Sequence, residues 1–135
     1  QLSLDMHKPI IVHSRKAEKE CIDILKQFQA KRVIMHCFSG KFSLVKHILE
    51  LGWYLSIPTS VTRSLHFQSL VKEAPLTQLF CETDSPYLHP WREPENEPAL
   101  VVESYKIIAA LKSLPLEEVK DMIFRNYKKV FEESS

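Results

Sequence analysis

Hydrophobic positions along this chain switch between two spacings. Continuous apolar runs at 9–13, 32–36, 53–57 and 79–82 read as short strands buried on both faces. Between them, apolar residues recur every three or four positions, which is the helical period. Residues 17–29 carry Cys21, Leu25 and Phe28 on one face, with Ile22 and Ile24 beside them. The next helix is marked by Phe42, Val45 and Leu49, with Leu44 and Ile48, and is stopped by Gly52. Pro58 closes the third strand. Residues 64–74 form a helix with Leu65, Leu70 and Val71 apolar, and Pro75 breaks it. The pattern fails from 84 to 98, where Pro86, Pro90, Pro94 and Pro98 fall among polar residues and predict a long irregular loop. Two helices follow. Pro98 opens one lined by Val101, Tyr105 and Ile108. Pro115 opens the other, lined by Val119, Ile123, Tyr127 and Val130, with Glu117 and Glu118 suited to its positive N-terminus.

Strands alternating with helices imply an α/β fold with a parallel sheet and right-handed crossovers. Two architectures satisfy that pattern: an open doubly wound sheet, or part of a (β/α)8 barrel. A whole barrel needs about 250 residues, so four βα units in 135 residues amount to half of one. Residues 1–8 look like the end of a helix feeding the first strand, and the chain opens on Gln1. A preceding segment is therefore expected.

Composition narrows the classes. Apolar residues make up 44% and charged residues 26%, ordinary for a globular protein of one domain. The formal net charge of +1 excludes a broad basic field of the kind general nucleic-acid binders carry, although a local phosphate site is compatible with it. Cys21, Cys37 and Cys81 form no CxxC pair and are odd in number, which fits a reducing, cytoplasmic setting. No apolar run is long enough to span a membrane, so no membrane partner is expected.

Three of the four strands end on groups that bind metals. His13 closes the first, His36 closes the second, and Asp84 follows the fourth, with Glu82 two residues earlier. Each has an unremarkable reading by itself. A strand-end histidine can be a satisfied core residue, and Asp84 before Ser85–Pro86 is good turn chemistry. Repetition changes the balance, because successive parallel strands end side by side and bring these groups to one rim. Imidazole and carboxylate together suit zinc, manganese or magnesium. Arg15 follows His13 and Arg63 lies near Ser60 and Thr62, so both are candidates for a substrate phosphate or for surface ion pairs. Tyr87 and Trp91 either stack on bases or pin the proline-rich loop. Strand alternation turns Cys37 and Cys81 away from the ligand side, toward the helices. His7, His47, His66 and His89 sit outside the strand ends and are expected to be surface or packing residues.

The strings His13–Ser14–Arg15, His36–Cys37–Phe38–Ser39–Gly40, Glu82–Thr83–Asp84–Ser85–Pro86–Tyr87–Leu88 and Asn96–Glu97–Pro98 occur in this order. With Ser56–Ile57–Pro58 and the closing segment from Asn126 to Phe131, they resemble the C-terminal half of the TatD-type metal-dependent deoxyribonucleases. The resemblance covers nearly all 135 residues. It implies the (β/α)8 TIM-barrel family, with this chain supplying about the last four βα units plus a C-terminal helix as one unit, 1–135. It implies a divalent-metal-dependent hydrolase cleaving DNA phosphodiesters through a metal-activated water, with two ions (Mg, Mn or Zn) in the intact protein. His13 and His36 match two metal-ligand histidines. Asp84 matches the aspartate that binds metal and handles the attacking water, and Glu82 matches its neighbouring glutamate, behind the ligands. The family's His-x-His pair and fourth-strand glutamate have no counterpart here. Half of the site is therefore expected. Two rival expectations follow: a catalytically inactive half-barrel completed by the missing N-terminal half or another copy, or a related barrel hydrolase acting on a different ester or amide.

Overall fold

The computed structural model describes residues 1–132. A short helix α1, Leu2–Asp5, precedes strand β1, Ile10–Val12. Helix α2, Glu18–Gln27, leads to β2, Val33–His36, and α3, Phe42–Glu50, leads to β3, Tyr54–Pro58. Helix α4, Leu65–Glu73, is followed by β4, Leu79–Glu82. After the loop come α5, Val101–Lys112, and α6, Leu116–Tyr127, which runs into a π-helical turn, Lys128–Glu132. Single 3-10 turns at Thr59–Thr62, Leu76–Gln78 and Pro98–Leu100 complete the connections. The strands form one parallel sheet in the order β1-β2-β3-β4.

Period-two alternation sorts the strand residues onto two faces. One face presents Val33, Met35, Leu55, Ile57 and Leu79, all fully buried against helix residues such as Ile22, Ile48, Leu70, Ile108 and Val119. This is the main core, and it lies on the helical side. The other face carries a small cluster of Ile34, Tyr54 and Val130, with Phe80 packed against it. Ile11, paired with Ile34, is 60% exposed there. The ligand rim grows out of this second face. In register, His36 sits beside Ser56, Ser56 beside Phe80, and Pro58 beside Glu82.

Several sequence expectations shift by a residue or a face, each for a local reason. Pro58 lies inside β3 rather than after it, at a position past the end of β2, where its missing N–H breaks no bond to that neighbour. Phe28 and Ile24 are 46% and 55% exposed, so the buried stripe of α2 centres on Ile22. The helix ends at Gln27 and Gln29 turns left-handed, which takes Phe28 off the periodic face. On α6 the position expected for Tyr127 is taken by Asn126. Its amide donates to the carbonyls of Leu76 and Leu79, both at 2.9 Å, and so ties α6 to the start of β4. Pro115 is the N-cap of α6, one residue before its first turn.

Two turns depend on glycine for different reasons. Gly52 adopts φ +72° between α3 and β3, a conformation glycine reaches without a Cβ penalty. At Gly40, an added Cβ would lie 2.5 Å from Cζ of Phe38, whose ring is 1% exposed. Gly40→Ala is therefore expected to lower stability by about 1–3 kcal/mol through overpacking. Chemical denaturation reads this directly, and an unchanged midpoint would contradict the Phe38 contact.

Candidate metal centre

His36 is the last residue of β2 and Glu82 the last of β4. Ser56 lies on β3 between them, in register with His36, on the same face. Three side chains thus converge across three strands with no loop needed. Nδ1 of His36 donates to Oε2 of Glu82 at 2.5 Å, and the Ser56 hydroxyl donates to the same oxygen. A histidine whose Nδ1–H is bound to a carboxylate leaves its Nε2 lone pair outward and fixed in direction, the usual arrangement behind a metal.

That Nε2 lies 3.6 Å from Oδ1 of Asp84. Two donors held by one ion at about 2.1 Å with a tetrahedral angle would stand about 3.4 Å apart. The spacing of His36 and Asp84 therefore fits a shared divalent ion. The ring of His13, which directly follows β1, lies 5.5 Å from that of His36, centroid to centroid. His13 is exposed, and among the described residues no group of three His, Cys, Asp or Glu side chains stands close enough to hold an ion. The rim brings together the His36–Asp84 pair with Glu82 behind it, and leaves His13 beside the pair.

The electrostatics match the geometry. Burial pushes the Glu82 carboxyl above the usual carboxylate range, with the Ser56 hydrogen bond and the His36 ring pulling the other way. Its second oxygen, Oε1, is buried without a hydrogen-bond partner among the described residues. Burial likewise pushes the Cys37 thiol to about 12 and the Cys81 thiol higher still. Both pack against the main core, as strand alternation predicted, and are unsuited to act as thiolate ligands. Asp84 holds φ +58° and Cys37 φ +45°, left-handed values that are uncommon for residues with a Cβ.

A family model for TatD-related DNase matches residues 1–132. The chain belongs to the TatD family. This TatD-family chain is 38% identical over 131 residues to the human deoxyribonuclease TATDN3, covering 97% of itself and 48% of the relative. It is 41% identical over 130 residues to the uncharacterized metal-dependent hydrolase MJ1582 of Methanocaldococcus jannaschii, with 96% and 51% coverage. The chain thus spans about half the length of the curated relatives it matches. The solved structure of the TatD homolog YjjV of Escherichia coli superposes with a TM-score of 0.88 at 22% identity, over 98% of this chain and 53% of that one. A TatD-family hydrolase from Entamoeba histolytica gives 0.87 at 19%, covering 98% and 54%. These two show a shared fold.

The TatD-family rim also accounts for the remaining sequence candidates. Arg15 is exposed beyond β1. Arg63 is committed in part, since its guanidinium donates to the His89 carbonyl at 3.3 and 3.4 Å. Tyr87 and Trp91 are 71% and 58% exposed, so their rings do not pin the loop. Pinning falls instead to Thr59, Thr62 and Asn96, whose side chains bind loop carbonyls, a role the sequence did not assign to them. Ser56 entered the sequence analysis only as part of a resembling string, and its bond to Glu82 was not foreseen. Its signal was a lone polar residue in a buried strand, with a glutamate two residues beyond its register partner Phe80 on the same face of the next strand.

Proposed function

We propose that this chain is the C-terminal half of a (β/α)8 barrel hydrolase that cleaves DNA phosphodiesters with divalent metal, at a site that includes His13, His36 and Asp84. The observation that carries the reading is the spacing of His36 Nε2 and Asp84 Oδ1 beside a Glu82-bound Nδ1. Family membership and the names of the relatives, a deoxyribonuclease and a metal-dependent hydrolase, support the substrate and the cofactor. The exposed sheet face at Ile11 supports an incomplete barrel. Among the described residues no helix is long and apolar enough to cross a membrane, and the three cysteines are free, in keeping with a cytoplasmic enzyme.

In this reading His13, His36 and Asp84 would hold a divalent ion, which would polarise phosphoryl oxygens and lower the pKa of water. His36 offers Nε2, and Glu82 keeps the ring in that tautomer. Asp84, with its side chain 41% exposed, orients the attacking water and accepts its proton. Arg15 and the outer face of Arg63 flank the substrate phosphate. A second reading, binding without turnover until a second half or another copy completes the rim, is favoured by one observation: among the described residues no three donors are grouped.

Calorimetric titration with Mn²⁺, run alongside a DNA cleavage assay, tests both readings. One weak site that His36→Ala and Asp84→Asn each abolish is the expected result. Equal binding in both variants would overturn the metal assignment. Cleavage by the chain alone favours the first reading, and binding without cleavage favours the second.

A further inference from the structure

The proline-rich loop after Asp84 contains no helix or strand through Glu97, and the ends of the stretch from Thr83 to Asn96 are tied together and to the exit of β3 by one side chain. That side chain belongs to Asn96, which is 5% exposed. Its amide nitrogen lies 2.9 Å from Oγ1 of Thr59, 2.8 Å from the Thr83 carbonyl and 2.7 Å from the Tyr87 carbonyl. Its Oδ1 accepts from the N–H of Glu97 at 3.0 Å, and its own N–H donates to the Pro86 carbonyl at 2.9 Å. The amide orientation is dictated, because a flip would set an oxygen against two carbonyl oxygens. Thr59, fully buried at the exit of β3, completes the knot by donating to the Leu88 carbonyl at 2.8 Å.

The placement of the Thr83 carbonyl matters for the metal centre. That carbonyl belongs to the peptide that ends at the nitrogen of Asp84, so holding it fixes the plane from which φ of Asp84 is measured. Asp84 holds φ +58°, a left-handed value uncommon for residues with a Cβ, although Asp adopts it more readily than most. Asp84 makes one described ionic contact, the 3.6 Å approach to His36. The Asn96 amide acts directly on the adjoining peptide.

We propose that Asn96, seated on Thr59, is a positioning residue that holds Asp84 in its metal-facing conformation and so sets the ion affinity of the rim. The inference rests on the reading that His36 and Asp84 share a divalent ion. Groups behind a metal ligand change affinity by about 10- to 100-fold when removed, and Asn96 acts on Asp84 through one peptide.

The test compares two buried asparagines in the full chain. Asn126 has the same chemistry, with its amide on two carbonyls and 4% exposure, but it ties α6 to the opposite end of β4. Mn²⁺ binding is followed by the electron paramagnetic resonance signal of the free ion, and folding by thermal melting. Asn96→Ala is expected to weaken Mn²⁺ about 10- to 100-fold. Asn126→Ala is expected to lower the melting temperature and leave Mn²⁺ affinity unchanged. Thr59→Val and Asn96→Asp keep side-chain shape while removing part of the knot, and each should weaken Mn²⁺ while remaining folded. Wild-type affinity in any folded Asn96 or Thr59 variant overturns the proposal. So does a loss in Asn126→Ala equal to that in Asn96→Ala, which would make both effects structural. Failure of the wild-type chain to bind Mn²⁺ overturns the metal reading itself, an outcome distinct from the other two.

Discussion

Glu82→Gln is expected to leave the metal-free fold at least as stable as the wild type, while weakening divalent-ion binding by about 10- to 100-fold. The two effects separate because Glu82 serves the fold badly and the rim well. Its side chain is 15% exposed, and one carboxylate oxygen is buried without a hydrogen-bond partner among the described residues. Burying a charge that is incompletely hydrogen-bonded costs free energy, and a neutral group of the same shape removes most of that cost. The glutamine carbonyl can still accept from Ser56 and His36. What it cannot supply is the negative charge behind the imidazole. That charge makes Nε2 a better donor and holds the ring in one tautomer. Melting curves with and without Mn²⁺ check both halves. The wild type should gain melting temperature with the ion and Glu82→Gln should not. A variant that melts lower without metal yet gains as much as the wild type would refute this account.

The largest effect on the fold itself is expected from Trp53→Ala, at about 3–5 kcal/mol. Trp53 is 2% exposed and belongs to the main core on the helical side of the sheet. Its Nε1–H donates to the Ala30 carbonyl at 2.9 Å, which ties the loop before β2 to the start of β3. Truncation removes the ring, opens a cavity between sheet and helices, and leaves that carbonyl unpaired. Whole domains are stable by only about 5–15 kcal/mol, so the loss should be visible as a large drop in the urea midpoint. Trp53→Phe separates the contributions. It keeps much of the apolar volume and loses the hydrogen bond, and about 1 kcal/mol is expected from that bond. Equal midpoints for the alanine and phenylalanine variants would show that ring packing contributes little.

Binary pattern made the strands legible to within a residue at each end, because a strand buried on both faces must be apolar throughout. Helix existence was equally legible, but helix faces were less so. Tyr127 and Asn126 differ by one position, and periodicity prefers the aromatic. The structure buries the asparagine because the carbonyls of Leu76 and Leu79 need a donor there. Such a preference depends on groups about 50 residues away in the chain, beyond the reach of any local window. Phe28 failed for a different reason: the helix stopped just before it, with Gln29 turning left-handed.

The site divides along the same line. His36, Glu82 and Asp84 could be picked out as strand-end donors, since topology alone brings parallel strand ends to one rim. Whether they touch is a matter of register, and register is set by how sheet and helices pack. Ser56 reaches Glu82 because β3 sits at a height that aligns it with His36 on one side and Phe80 on the other. His13 was as prominent in the sequence as His36. Its strand lies at the sheet edge, and it ends up exposed beside the pair rather than joined to it.

By itself, then, the sequence determined the alternation of strands and helices, the end of the sheet where chemistry gathers, and the residue types present there. Those follow from local rules: period, turn residues and the parallel order of βα units. Tertiary structure alone decided that His36 is held by Glu82 and Ser56, that Asp84 faces it at 3.6 Å, and that Asn96 knots the loop behind them. The physical reason is that hydrogen bonds reward alignment within a few tenths of an ångström. Such alignment is a property of how distant segments pack, which no spacing along the chain encodes.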